Sequence, residues 1–333
     1  MKRIAHWFAF AAWLTTLNLQ GAVDPLPSWN DGPVKDGILA FVREATAPGT
    51  ALFVTPAERI AVFDNDGTLW TEQPSYTQFV FAMDRVKAVA GQHTEWNTRE
   101  PFRSALAGDL KGVVASGVHG LIDLPAAACA GMTIEEYERT AKEWLATARH
   151  PRFGRPYTEC VYQPMVELLA FLRASGFKTY VVSGGSLEFM RPWTERVYGI
   201  PPEQLIGSTV VTKFEVRNGQ PVMVRQAEIE LINDRAEKAV SIQRVIGRRP
   251  ILAFGNSDGD LPMLQWTAGG GGRRFCGYVH HTDGEREYAY DRTAATGRLD
   301  KGLDEAAAKG WTVVDMKRDW KRVFPFEGAA AGP

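Results

Sequence analysis

The chain has 333 residues with a formal net charge of −1, 45% hydrophobic and 23% charged. That is ordinary globular composition, long enough for one large core and a second, smaller module. The near-zero charge, without a basic run, excludes a surface built to track nucleic acid.

The first element is at the amino terminus. Lys2 and Arg3 precede a mostly apolar run, Ile4 to Leu17, and Gly21-Ala22 follow. This is the pattern of a secretory signal peptide over 1–22, so the protein is expected to be periplasmic or secreted. The run is too short and interrupted for a stable membrane span. An uncleaved anchor is the alternative. Cys129, Cys160 and Cys276 form no CxxC pair, so zinc is unsupported. At most one disulfide is possible, and three buried thiols are the other reading.

Next comes a buried-strand run, Ile60-Ala61-Val62-Phe63, that stops at Asp64, with a second carboxylate at Asp66. Strand ends of open α/β sheets are where ligands bind. For both carboxylates to serve one site the backbone must curl just after Asp64, and Gly67 makes that turn cheap. Asp-Asn-Asp-Gly is also an ordinary polar turn, so later segments must decide. Residues 71–162 read as a helical insertion, with an amphipathic stretch over Tyr76–Ala90 and a capping box at Thr133–Glu136. It is placed over the strand ends as a cap.

From 163 onward strands and helices alternate. A helix starts at Pro164 and stops at Gly176; the strand Lys178–Val182 breaks at Ser183-Gly184-Gly185; a helix runs from about Leu187 to Tyr198. Asn218-Gly219 between apolar flanks signals a β-hairpin. A helix carrying Lys238 precedes the strand Ile251–Phe254, which breaks at Gly255-Asn256-Ser257-Asp258-Gly259-Asp260. The rhythm predicts a doubly wound, mostly parallel sheet, with 23–70 and 163–333 as the core. Three polar loops then converge on one sheet edge.

FDNDGT, VVSGG, Lys238 with Ile242, and GNSDGD, in this order over about residues 59–264, resemble the motifs of the haloacid dehalogenase superfamily. The SGG form and the insertion after the first motif are similar to its phosphoserine-phosphatase-like branch with a first-type helical cap. The resemblance implies a Rossmann-like core and Mg2+-dependent hydrolysis of a small phosphate monoester through an aspartyl-phosphate. It makes Asp64 the nucleophile and Asp66 the acid and base; Ser183 and Gly184 hold phosphoryl oxygens, and Lys238 neutralises charge. The superfamily's dehalogenases lack the second acid, which argues against dehalogenation here. Magnesium would be held by Asp64, the Asp66 carbonyl and the fourth loop. That loop departs from the usual Gly-Asp with Gly255-Asn256, leaving Asn256 with Asp260 through water, or instead Asp258 or Asp260, as ligand. The superfamily also holds phosphotransferases and mutases, and Asn256 fits a non-catalytic phosphate-binding protein as well.

Weaker candidates remain. Glu72 either faces the substrate from the cap entrance or is solvated. Arg155 and Arg191 reach a phosphate or lie at the surface. The adjacent His280-His281 diverge on a strand, against a shared metal. Trp70 and Trp193 read as packing.

Overall fold

The strand that carries the first motif is the central one of a seven-stranded sheet. The strands are β1 (Ile60–Phe63), β2 (Lys178–Ser186), β3 (Leu205–Arg217), β4 (Gln220–Leu231), β5 (Leu252–Gly255), β6 (Phe275–His280) and β7 (Thr312–Asp315). The spatial order is β4-β3-β2-β1-β5-β6-β7. All neighbours are parallel except β3 and β4, which form the antiparallel hairpin. This computed structural model describes residues 23–109, 112–113 and 116–328, without the side chains of 117–122. The expected signal segment, 1–22, lies outside the described residues.

The helices are α1 (Pro33–Thr46), α2 (Thr77–Val89), α3 (Phe102–Ala107), α4 (Gly117–Ala128), α5 (Ile134–Thr147), α6 (Gln163–Ala174), α7 (Leu187–Tyr198), α8 (Ala236–Ile246), α9 (Leu261–Ala268), α10 (Lys301–Lys309) and α11 (Met316–Asp319). Both faces of β1 are buried. Ala61 and Phe63 join a core with Phe41 of α1 and Leu168 of α6, whereas Ile60 and Val62 join another with Ile242 of α8 and Met263 of α9. Two-sided burial is why β1 reads as an unbroken apolar run rather than an alternating one. Each large side chain so buried contributes about 1.5–3 kcal/mol. The sheet is therefore doubly wound, an α/β Rossmann-like fold.

Helices α2 to α5 fall between β1 and β2, within the stretch read as a cap. The Phe81 ring packs against Tyr137 and Trp144 of α5 and Phe189 of α7, at centroid distances of 5.9, 5.4 and 5.3 Å. The capping box of α5 forms in both directions, at 2.8 Å to Thr133 N and 3.2 Å from Glu136 N. At the hairpin tip Asn218 and Gly219 both have positive φ, 51° and 76°, as a two-residue turn matched to strand twist requires. One boundary differs. Strand β2 continues through Gly184-Gly185 to Ser186 because it regains pairing with β3 after a register shift past Val182.

The three cysteines are buried and free. No described helix is long and apolar enough to cross a membrane.

Candidate active site

Backbone geometry at the end of β1 brings two carboxylates to one side. The Asp64 N–H donates to the Phe254 carbonyl at 2.9 Å, pinning the strand end to β5. The Asn65 carbonyl then accepts from Thr68 N (3.1 Å) and Leu69 N (2.8 Å), which curls the chain back. Gly67 sits at φ +78°, and a Cβ there would collide with Asn256 and Glu72. Only glycine meets both demands.

Lys238, in the first turn of α8, bridges two strands' loops. Its Nζ donates at 2.5 Å to Asp64 Oδ1 and at 2.5 Å to Asp260 Oδ1. The other Asp260 oxygen accepts from Asn256 N, Ser257 N and Ser257 Oγ at 3.0, 3.0 and 3.1 Å. Asp260 thus shapes the fourth loop and seats the lysine, with both oxygens occupied. Asp258 points elsewhere: its Oδ1 accepts from Asp300 N and Gly302 N, both at 2.9 Å, at the start of α10. One oxygen of this alternative ligand is thus occupied.

Asp66 is held by groups from two elements. Trp70 Nε1 donates to its Oδ1 at 3.0 Å, and Ser183 Oγ lies 3.4 Å from its Oδ2. Ser183 is itself fixed: Gly185 N donates to its hydroxyl at 2.9 Å, and Asn233 Nδ2 to its carbonyl at 2.9 Å. Trp70 stacks on Trp193 with centroids 4.4 Å apart, so it is packing, as the sequence suggests, and also the donor that orients Asp66.

Glu72 is buried rather than solvated. Its Oε1 accepts from Asn256 Nδ2 at 2.6 Å and from Tyr290 OH at 2.8 Å, while Thr68 Oγ1 donates to Asn256 Oδ1 at 3.1 Å. The carboxylate missing at position 256 is therefore present in space, supplied from the first loop.

Crowding sets the electrostatics. Burial, with the neighbouring Asp260 charge next, pushes the Asp64 carboxyl up to about 8 against the opposing pull of Lys238. Burial also raises Asp66, opposed by the Trp70 hydrogen bond and Lys238. It raises Glu72 well above the carboxylate range, opposed by the Tyr290 bond and reinforced by Asp66 and Asp64. For Lys238, burial acts downward, but Asp260 and Asp64 outweigh it and the ammonium is held charged.

Asp64, Asp66, Glu72, Gly184 and Lys238 line one cavity of about 290 Å³. Arg155 and Arg191 are not among its lining residues. His280 faces Asp291 at 3.5 Å, whereas the neighbouring His281 is buried, so the two diverge as strand geometry requires.

The arrangement of nucleophile-type carboxylate, partner carboxylate, lysine and glycine-lined loop at parallel strand ends has a match. A family model for haloacid dehalogenase-like hydrolases covers residues 61–265. The chain belongs to that family. No curated protein matches it in sequence. Among solved structures, a protein of unknown function from Bordetella pertussis Tohama I is 18% identical, with a TM-score of 0.50 over 78% of this chain and 99% of that one. A functionally unknown protein from Anaerococcus prevotii DSM 20548 is 13% identical, with a TM-score of 0.53 over 84% and 91%. At these identities the likeness is one of fold.

The haloacid dehalogenase-like segment does not contain the whole site. His281, beyond it, donates from Nε2 to the Gly67 carbonyl at 2.7 Å, since that oxygen can only accept. Its Nδ1 faces Glu287 at 3.2 Å, and Glu287 takes Thr71 Oγ1 at 3.0 Å and Tyr288 N at 2.6 Å. The imidazole stacks on Tyr290, the donor to Glu72, at 4.3 Å. Sequence reading noticed His281 only as half of a pair, and no local signal ties it to Gly67. Among the described residues no three His, Cys, Asp or Glu side chains form a ready ion cage. The oxygens that suit a hard cation are a mixed set: the Asp64 carboxylate, the Asp66 main-chain carbonyl, and Asn256 with Glu72 beside it. Asp64, Asp66, Glu72 and Asp260 share one lysine, and such an ion would offset their charge when they ionise.

Proposed function

We propose that this hydrolase cleaves a small phosphate monoester through an aspartyl-phosphate on Asp64. The observation that carries the reading is Lys238 held against Asp64 while Asp66 lines the same cavity. Asp64 forms a bond from its carboxylate oxygen to phosphorus, and the ester oxygen leaves with a proton from Asp66. Burial raises the Asp66 carboxyl above its ordinary value, the direction that suits an acid role. In the second half, Asp66 takes a proton from water as that water attacks phosphorus, and the Asp64–phosphorus bond breaks to release inorganic phosphate. Ser183 and the Gly184 backbone hold phosphoryl oxygens; Lys238 balances charge on Asp64 throughout.

Asp64, the Asp66 carbonyl and Asn256, supported by Asp260, would hold magnesium, which when bound would supply charge screening between the anionic nucleophile and an anionic substrate. Helices α2 to α5 act as the cap over 71–162. The leader at 1–22 directs export, a reading that rests on the sequence alone.

Release of phosphate from a chromogenic phosphomonoester, with and without EDTA, tests the proposal. Activity should need divalent metal, and Asp64→Asn should lower it by at least roughly 10³-fold while far-ultraviolet circular dichroism is unchanged. Substantial turnover by purified Asp64→Asn protein would sink the mechanism.

A further inference from the structure

The same cavity is also walled by Phe79 of α2, Pro125 and Ala126 of α4, Val210 of β3, and Ile229 with Ile232 from β4 and its exit. Polar side chains are also there, and several of them are already hydrogen-bonded within the protein. Ser208 Oγ donates to the Gly184 carbonyl at 2.7 Å and accepts from Asn233 N at 2.9 Å. Thr209 Oγ1 donates to Glu230 at 3.1 Å, and Gln78 Oε1 accepts from Ser186 N at 2.6 Å. Arg225, buried, donates to Glu188 Oε2 at 2.5 Å and lies 4.0 Å over the Tyr137 ring, so its charge is neutralised on the spot.

We infer that this site accepts esters of a neutral, apolar alcohol, such as an arylalkyl or short alkyl group, in preference to polyol or amino-acid phosphates. The inference deepens, and rests on, the phosphatase reading of the same cavity. A site selects a polar group by offering partners that would otherwise stay unpaired, and rejects analogues lacking it. Here the Ser208 and Thr209 hydroxyls and the Gln78 amide oxygen are satisfied without substrate. A polyol would therefore lose its water with little in return, whereas an apolar group gains by burial. The competing occupant is an anionic leaving group on Arg225, whose Nε has no partner.

The test compares 2-phenylethyl phosphate, glycerol 1-phosphate and O-phospho-L-serine, all esters of aliphatic alcohols, so leaving-group chemistry is nearly matched. Burying about 100 Å² of ring predicts a kcat/KM about fiftyfold higher for the phenylethyl ester than for either other. Ile229→Asp, at a half-buried strand position, should remove most of that advantage, read as the ratio of kcat/KM for the phenylethyl ester to that for glycerol phosphate. Equal or better use of glycerol phosphate or phosphoserine overturns the inference, phosphoserine by showing Arg225 to be an anion anchor. If no ester is hydrolysed, the phosphatase reading fails. Calorimetric binding of the same three esters to Asp64→Asn protein then decides the preference alone: tighter phenylethyl phosphate supports it, parity or reversal overturns it.

Discussion

Two parts of the cavity lining, the carboxylates with Lys238 and the stretch around Val210 and Ile229, differ in how their polar groups are balanced. In the first, carboxylates crowd together, are raised by burial, and rely on one lysine for opposite charge. In the second, hydroxyls, amide oxygen and guanidinium are closed into internal hydrogen bonds. Stability and function pull in opposite directions in the first part and agree in the second. A polar lining is thus no indication of a polar ligand until its partners are counted.

Lys238→Met breaks the comparison most severely. It leaves Asp64 and Asp260 buried without their cation, so activity should fall by roughly 10³-fold or more and stability by about 3 kcal/mol in urea titrations. Near-parental values for both would show the lysine to be incidental.

The pH response should come next in size. The Asp64 carboxyl has a native value near 8 against an unfolded value near 4, so the native state binds a proton that the unfolded chain has released. Stability in EDTA should therefore fall as pH rises through that window, the reverse of a salt-bridged carboxylate. A melting temperature lower by roughly 5 °C at pH 8 than at pH 5 is expected. Millimolar magnesium should flatten the slope, because it favours the ionised form. A slope indifferent to magnesium would place no cation beside Asp64.

The smallest effects separate the two parts most finely. Trp70→Phe deletes one hydrogen bond to Asp66 and should cost about five- to tenfold in kcat, about 1 kcal/mol. Thr209→Val, in the other part, should leave kcat/KM for an alkyl phosphate within about twofold. A larger loss from Thr209→Val than from Trp70→Phe would reverse the assignment of the two parts.

Much of this was legible in the sequence, for stated reasons. Apolar runs ending in polar, glycine-bearing loops located β1, β2 and β5, because two-sided burial removes alternation and strand ends carry the polar groups. The Asn218-Gly219 turn and the Thr133–Glu136 box rely on local chemistry alone, and both form as read. What depends on distant partners was hidden. Strands β6 and β7 and helix α1 lie outside the motif-bearing stretch. Glu72 read equally as a residue facing the substrate or a solvated one, because its partners Asn256 and Tyr290 lie 184 and 218 positions away. Trp70 read as packing because its indole N–H reveals no partner in the linear chain. Asp258, by contrast, looked available and is committed to α10.

The His281–Gly67 hydrogen bond joins residues 214 positions apart. A ribosome delivers the catalytic turn early and its brace late, so the nascent chain carries Asp64 and Asp66 long before anything locks their loop. Even after residue 265, where the family match ends, the Gly67 carbonyl and the Glu72 carboxylate still await His281 and Tyr290. Competence is thereby tied to the segment beyond the motifs: a chain interrupted between residues 265 and 280 would hold all four motifs and lack the clasp that His281 makes to Gly67.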